Sequence, residues 1–204
     1  SSPRTGARWI GDCASGARAK AKRSRRRRWT LKPAIASGSP ATTVKQALGQ
    51  AVQASAQSDF QYLYDNHPIY DLVQAGQARP VWRDLLAFLN GEAFLELMRD
   101  LTGEARIALV DAQLTRYRAG HFLTEHDDHA EGKNRFFAYV LNLTPVWRIE
   151  WGGLLAFHGD DGNVAEAFTP RFNTLNLLKV PSPHSVTQVA LSAAADRLSV
   201  TGWL

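Results

Sequence analysis

The sequence predicts an α+β fold in which a helical layer precedes a β-sandwich or jelly-roll barrel, and three observations carry that prediction. Apolar positions recur at helical spacing over residues 42–56 and 81–101. After Gly103 the pattern changes to short β-type segments at 106–117, 134–143, 153–158, 164–168, 174–180, 185–191 and 196–203, punctuated by Gly, Asp, Asn and Pro. Helices come first and strands afterwards, with no βα alternation and no Gly-x-Gly-x-x-Gly, which argues against a parallel nucleotide-binding sheet.

A chain of 204 residues is long enough for one well-buried domain. No run approaches the roughly 18 consecutive apolar residues of a spanning helix, so no membrane segment is expected. Cys13 is the only cysteine. An internal disulfide framework and a Cys-rich zinc site are therefore excluded, and any metal must be held by His and carboxylate. Freedom from disulfides fits a reducing compartment, and the expected location is the cytoplasm. The net charge of +5 is unevenly divided. Residues 1–33 hold eleven Lys and Arg against Asp12 alone, a net of +10, while the remainder holds thirteen basic and eighteen acidic residues, a net of −5. The high pI belongs to a tail, and the body is mildly acidic.

Residues 1–41 read as a basic, disordered extension, rich in Ser, Gly, Ala and Arg. Its run Lys22-Arg23-Ser24-Arg25-Arg26-Arg27-Arg28 is compatible with nucleic-acid or anionic-surface binding, an organelle address, or a solvated tail without function. Residues 42–204 read as a single domain. Thr42 or Thr43 is placed to cap a helix to about Ala56, with Val44, Ala47, Leu48, Ala51 and Val52 on one face. Residues 59–79 carry Phe60, Tyr62, Tyr64 and Tyr70 among polar residues without a clear period. The strong helical pattern from Val81 to Leu101 is nicked at Asn90-Gly91 into two helices, and Gly103 is well placed to end the second.

The chemistry starts from His126 and Asp128. In extended backbone, residues two apart share a side, so an imidazole and a carboxylate can reach one ion. With six histidines in the chain, a His-x-Asp alone is equally what a polar surface loop shows. His184 follows Pro181-Ser182-Pro183 between two strand-like segments, where a jelly roll can bring it beside His126. Two His and one carboxylate on one face form the facial triad of non-haem Fe(II) oxygenases, which leaves coordination positions open. Thirteen residues later, Arg197 and Ser199 share one strand face. An inward Arg is costly unless it meets an anion, and its fork of donors suits a carboxylate. An edge-strand Arg bridged to a surface acid is the competing reading.

Tyr117-x-x-Gly120-x-Phe122-x-x-x-His126-x-Asp128 resembles the metal-binding motif of 2-oxoglutarate/Fe(II) oxygenases of the prolyl 4-hydroxylase type. So do Trp151-Gly152-Gly153-Leu154-Leu155, His184-x-Val186-x-x-Val189 and Arg197-x-Ser199-x-x-Gly202-Trp203. The similarity runs from about Phe94 to Leu204 and is strongest to the branch of the ribosomal-protein prolyl hydroxylases and their bacterial relatives. It implies a double-stranded β-helix (jelly roll) over about 104–204, packed against a helical layer over about 42–103, as one lone catalytic domain. It also implies Fe(II) on His126, Asp128 and His184, with 2-oxoglutarate held at its distal carboxylate by Arg197, Ser199 and Tyr117. The implied reaction hydroxylates an unactivated C–H, most naturally a peptidyl proline. It uses O2, releases succinate and CO2, and takes ascorbate as a reductant. Two departures stand out. The interval from His184 to Arg197 is long, and Gln188 stands where relatives often have Glu.

The chain also carries tempting residues that this scheme leaves out. His121 and His129 flank the motif without being needed, Asp127 is expected to turn away from Asp128, and His158 is expected at the surface. Trp147 and Trp151 read as cleft or core, while Arg135 and Arg148 remain open as substrate contacts. The expected partner is a protein or small-molecule substrate, with nucleic acid engaged only through the basic tail. The competing class is a non-catalytic jelly-roll module that binds a metal or ligand.

Overall fold

The computed structural model describes residues 7–8 and 40–204, with side chains described from Ala47 onward. The Arg-rich run, and the disorder expected of the tail, therefore lie outside the described residues. Helix α1 (Pro40–Ser55) begins ahead of the expected Thr cap. A proline suits the first turn of a helix because its φ is already near the helical value and its missing N–H is not needed there. The segment without a clear period resolves into two short strands, β2 (Tyr62–Leu63) and β3 (Asp65–His67), and the short helix α2 (Ile69–Gln74).

The long helical pattern divides where the sequence nicks it, into α3 (Pro80–Leu89) and α4 (Glu92–Thr102). Asn90 makes the break useful. Its side-chain amide donates to the carbonyls of Leu86 (3.0 Å) and Val110 (2.8 Å), and its Oδ1 accepts from the Val110 N–H (2.9 Å). One side chain thus seals a helix end and anchors the segment that leads into the sheets. Gly103 ends α4 in the left-handed region at φ 69°, its N–H bonding to Arg99 O at 2.8 Å.

The strand-rich half supplies β4 (Gln113–Tyr117), β5 (Phe122–His126), β6 (Phe137–Asn142), β7 (Leu155–His158), β8 (Val164–Phe168), β9 (Thr174–Lys179), β10 (His184–Val186) and β11 (Arg197–Trp203). They form two facing sheets, a double-stranded β-helix. The major sheet has the order β1-β9-β6-β11-β4-β3, where β1 is the pair Ala7–Arg8 set parallel to β9. The minor sheet has the order β2-β5-β10-β7-β8. All other pairings are antiparallel.

Two expected strands are shorter than the sequence pattern, for the same reason. Over 106–112 the backbone bonds to different partners in turn, the Asn90 side chain at Val110 and the Trp203 carbonyl at Asp111, so regular pairing begins only at Gln113. Beyond Val186 the N–H groups of Thr187, Val189 and Ala190 go to the carbonyls of Leu154, His121 and Trp151. Apolar alternation continues there, but no single neighbouring strand receives it.

The major sheet has two differently used faces. Tyr139, Leu177 and Val200 pack with Leu89, Leu95 and Met98 from the helices, while Ala138, Leu178 and Trp203 turn inward against Leu155 and Phe157 of the minor sheet. The helical layer thus backs the major sheet and leaves the space between the sheets for the site. No described helix is long and apolar enough to cross a membrane.

Met98 is fully buried where α4 meets this sheet. Met98→Ala is expected to lower the free energy of unfolding by about 2–5 kcal/mol, read as a shift in the urea midpoint.

Candidate active site

Three ligand-type side chains converge between the sheets. β4 and β5 are joined by a tight turn at Gly120, whose φ of 83° is readily adopted only without a Cβ. The turn is pinned across the barrel by Gly120 N–H to Val189 O (2.8 Å) and by Val189 N–H to His121 O (2.9 Å). β5 ends at His126, which is the register partner of His184 on β10. The two rings lie 4.1 Å apart, and ligand atoms of His126, Asp128 and His184 all fall within 4.8 Å of one another.

The alignment of Asp128 differs from the extended-backbone argument. The strand stops at His126, and Asp128 sits in the left-handed region at φ 61°. That conformation is uncommon for any residue but glycine and marks a position held by its surroundings. Arg135 is one restraint, its Nη1 donating to the Asp128 carbonyl at 3.3 Å while the guanidinium lies 3.5 Å from the Trp203 ring centre. Asp127 turns to accept from the His129 N–H at 3.0 Å.

The imidazoles are oriented by the backbone. His126 Nδ1 donates to Thr124 O (3.0 Å), and His184 Nδ1 donates to Ser182 O (2.7 Å). With Nδ1–H so engaged, each ring presents the lone pair of Nε2. His126 Nε2 lies 3.6 Å from Asp128 Oδ1, and His184 Nε2 lies 3.5 Å from Asp128 Oδ2. Burial, and then the neighbouring His184, hold His126 below the usual imidazole range and so favour the neutral ring. Two neutral imidazoles and one carboxylate suit a divalent first-row ion.

Farther into the same interior, Arg197 of β11 is 2% exposed, and both its Nε and its Nη1 are buried without a partner among the described residues. Its guanidinium lies 5.2 Å from the ring centre of Tyr117, its register partner on β4. Gly153, at φ 62°, lies beside it and packs tightly on Val189 and Trp147, which a Cβ there would meet at 3.1 and 3.2 Å. Burial pushes the guanidinium below its ordinary range and the Tyr117 phenol above its own. The Ser199 hydroxyl donates to Asn142 Oδ1 at 3.3 Å, so it must turn to meet any ligand. Arg197 is thus a cation buried among neutral groups, an arrangement that suits an anion.

Other residues acquire places the sequence did not give them. Phe60, Tyr62 and Tyr64, at alternate positions of one extended segment, form an aromatic ladder along the site. Phe60 lies 5.7 Å from the His126 ring, Tyr62 lies 5.9 Å from Phe60, and Tyr64 stacks on Tyr117 at 4.9 Å. The i, i+2, i+4 spacing of the rings was the available signal, obscured by the polar residues around it. Trp147 is half-buried, its Nε1–H donating to Gly152 O at 2.9 Å and its ring edge-on to Trp151. Arg148 pairs with Glu150 at the surface. His121 is buried and His129 exposed, and neither belongs to the converging group. His158, expected at the surface, is half-buried with both ring nitrogens engaged. Gln188 donates its amide to Gly120 O at 3.2 Å, a bond that a carboxylate could not make.

Residues 112–204 match the family described as the 2OG-Fe(II) oxygenase superfamily. Among curated proteins, the chain is 35% identical over 119 residues to prolyl 3-hydroxylase OGFOD1 of Xenopus laevis, covering 55% of this chain and 23% of that one. It is 33% identical over 101 residues to the Mus musculus protein of the same name, covering 46% of this chain and 18% of that one. The matched stretch spans less than a quarter of the length of these relatives. Among solved structures, an oxidoreductase of the 2OG-Fe(II) oxygenase family from Burkholderia pseudomallei superposes with a TM-score of 0.57 at 18% identity over 78% of each chain. That likeness bears on the fold.

The isolated charge of Arg197 makes an unusual stability prediction. Arg197→Met keeps the volume and removes a guanidinium that has no carboxylate partner among the described residues. The ligand-free variant is expected to unfold at or above the wild-type midpoint. A loss above about 1 kcal/mol in urea unfolding would mean that the guanidinium is satisfied within the protein.

Proposed function

We propose, from the premise that residues 112–204 belong to the 2OG-Fe(II) oxygenase superfamily, that this protein is a 2-oxoglutarate- and Fe(II)-dependent dioxygenase hydroxylating an unactivated C–H of a peptidyl proline. The observation that carries the reading is the pairing, within one barrel interior, of a two-His, one-carboxylate donor set with a buried guanidinium lacking an anion. The relatives' name, prolyl 3-hydroxylase, supports the substrate class. So does the half-buried aromatic ladder from Phe60 to Tyr64, whose faces suit a saturated ring. The catalytic unit is residues 42–204. A chain whose one cysteine is Cys13, and whose chemistry depends on a reductant such as ascorbate, fits the cytoplasm. The partner is a protein substrate, with nucleic acid reached only through the basic tail.

His126, Asp128 and His184 hold the metal, which when bound supplies the activation of O2 coupled to oxidative decarboxylation of 2-oxoglutarate to succinate and CO2. The backbone carbonyls of Thr124 and Ser182 keep both imidazoles in the ligating tautomer. Arg197 holds the distal carboxylate of 2-oxoglutarate, with Ser199 and the Tyr117 hydroxyl beside it, and fixes the direction in which the keto-acid end points. Tyr117, Val186 and Val189 form an apolar wall that excludes water from that interior.

Anaerobic addition of 2-oxoglutarate to the Fe(II)-loaded protein is expected to produce a visible charge-transfer band, absent in His126→Ala and Asp128→Ala. With ascorbate and air, prolyl peptides or lysate proteins should gain one oxygen atom by mass spectrometry, together with stoichiometric succinate. A wild type that gives neither band nor succinate would overturn the dioxygenase reading in favour of a binding module.

Arg197→Met is expected to weaken 2-oxoglutarate binding about 100-fold while leaving metal affinity near the wild-type value. That is the factor for a lost charge-assisted contact of roughly 3 kcal/mol.

A further inference from the structure

A second polar constellation lies on the outer face of the minor sheet, behind the two histidines of the metal site. His158, the last residue of β7, bonds through Nδ1 to Glu125 Oε2 on β5 and through Nε2 to Ser185 Oγ on β10, the latter at 2.8 Å. β10 is central, with β5 on one side and β7 on the other. One imidazole therefore spans three adjacent strands. A carboxylate can only accept, so Nδ1–H donates to Glu125, and in the neutral ring Nε2 accepts from the Ser185 hydroxyl. Glu125 immediately precedes His126, and Ser185 immediately follows His184. Strand alternation turns these two outward where the ligating neighbours turn inward.

The backbone ladder is irregular at the same places. Pairing of β10 with β5 shifts register between His184 and Val186, and pairing of β7 with β8 shifts between Phe157 and His158. Bulges beside active sites re-aim side chains, and a one-residue slip would turn a ligand out of the interior. The ladder alone thus leaves the facing of His126 and His184 under-restrained at the point where it matters. The order of groups is also that of an activated serine nucleophile. Ser185, however, is 9% exposed within a central strand, which leaves an electrophile little access to its Oγ.

We infer that Glu125, His158 and Ser185 form a positioning clamp that locks the register of β5, β10 and β7 and thereby sets the spacing of His126 and His184. The clamp rests on the metal-binding reading given above. His158 is its centre, since it alone reaches both partners. A groove of about 540 Å3 between α1 and this face exposes the clamp without entering the metal site. Substitutions at His158 therefore act from behind the sheet.

The test uses the full chain with Co(II) as an anaerobic probe, its affinity read by titration and its ligand geometry by the visible spectrum. His158→Ala and Ser185→Ala are expected to weaken Co(II) binding about tenfold, the lower end of the range for residues supporting metal ligands, and to shift the visible bands. His158→Gln, whose amide both donates and accepts, is expected to recover most of the affinity and the wild-type bands. Wild-type affinity and spectrum in both alanine variants overturn the clamp, whatever happens to the thermal midpoint. If His158→Ala does not fold, Ser185→Ala and His158→Gln decide by the same two readouts. A wild type that binds no Co(II), or a His126→Ala variant that binds it equally well, overturns the metal reading and the clamp with it.

Discussion

A guanidinium buried among uncharged groups is the constraint on which the barrel's arrangement turns. Arg197 lies on β11, a central strand of the major sheet, with β4 on one side and β6 on the other. The inward side of that neighbourhood is correspondingly polar, with Thr115, Asn142 and Ser199 all buried beside it. Thr115 Oγ1 donates to Ser199 O at 3.2 Å, and Ser199 donates to Asn142, which in turn reaches Thr174. These groups satisfy one another, but none supplies an anion to Arg197. The stability of the fold has to come from elsewhere, and the opposite face of the same strands supplies it through the Tyr139, Leu177 and Val200 contacts with the helices. Division of labour between the two faces of one sheet lets a costly charge sit at its centre.

That division explains why so much of the molecule was legible in the sequence. Core-facing positions on α3 and α4 follow a helical period, and Asn90-Gly91 breaks it where the chain bends. On β11, Leu198 and Val200 alternate with Arg197 and Ser199, so the two faces could be separated by inspection. His126 and His184 were readable because each ends or begins a strand, where alternation still governs side-chain direction. The layering of helices and strands follows from these local rules, whereas the convergence of His126, Asp128 and His184 was implied by the resemblance of their motifs to a known family.

What was hidden depends on contacts between distant segments. Asp128 reaches the histidines through a left-handed backbone conformation, which no two-residue periodicity encodes in a non-glycine residue. His158 sits beside Gly159-Asp160-Asp161-Gly162, so its sequence neighbourhood is that of a surface turn. Its partners come from β5 and β10, some thirty residues away on either side. The shortened strands at 106–112 and 187–191 share this origin. Their apolar alternation is real, and only the tertiary arrangement reveals that their backbone partners change from residue to residue.

Gly152 and Gln188 show how the two ends of the site are joined. A Cβ on Gly152 would stand 2.2 Å from Gln188 O, and the φ of 64° at Gly152 excludes it independently. That close approach brings the loop ahead of β7 onto the segment after β10, bridged at Gly152 and Val189. The Gln188 amide then extends the contact to Gly120, at the turn that delivers His126. A glutamate there could only accept, and it would face the Gly120 carbonyl with like polarity. The amide therefore follows from the local geometry, as a donor tying the strand that begins with His184 to the turn preceding His126. The loops around the metal-ligand group are thus fixed by backbone contacts that leave no room for a side chain. The aromatic ladder on the other side is looser, its rings only half-buried.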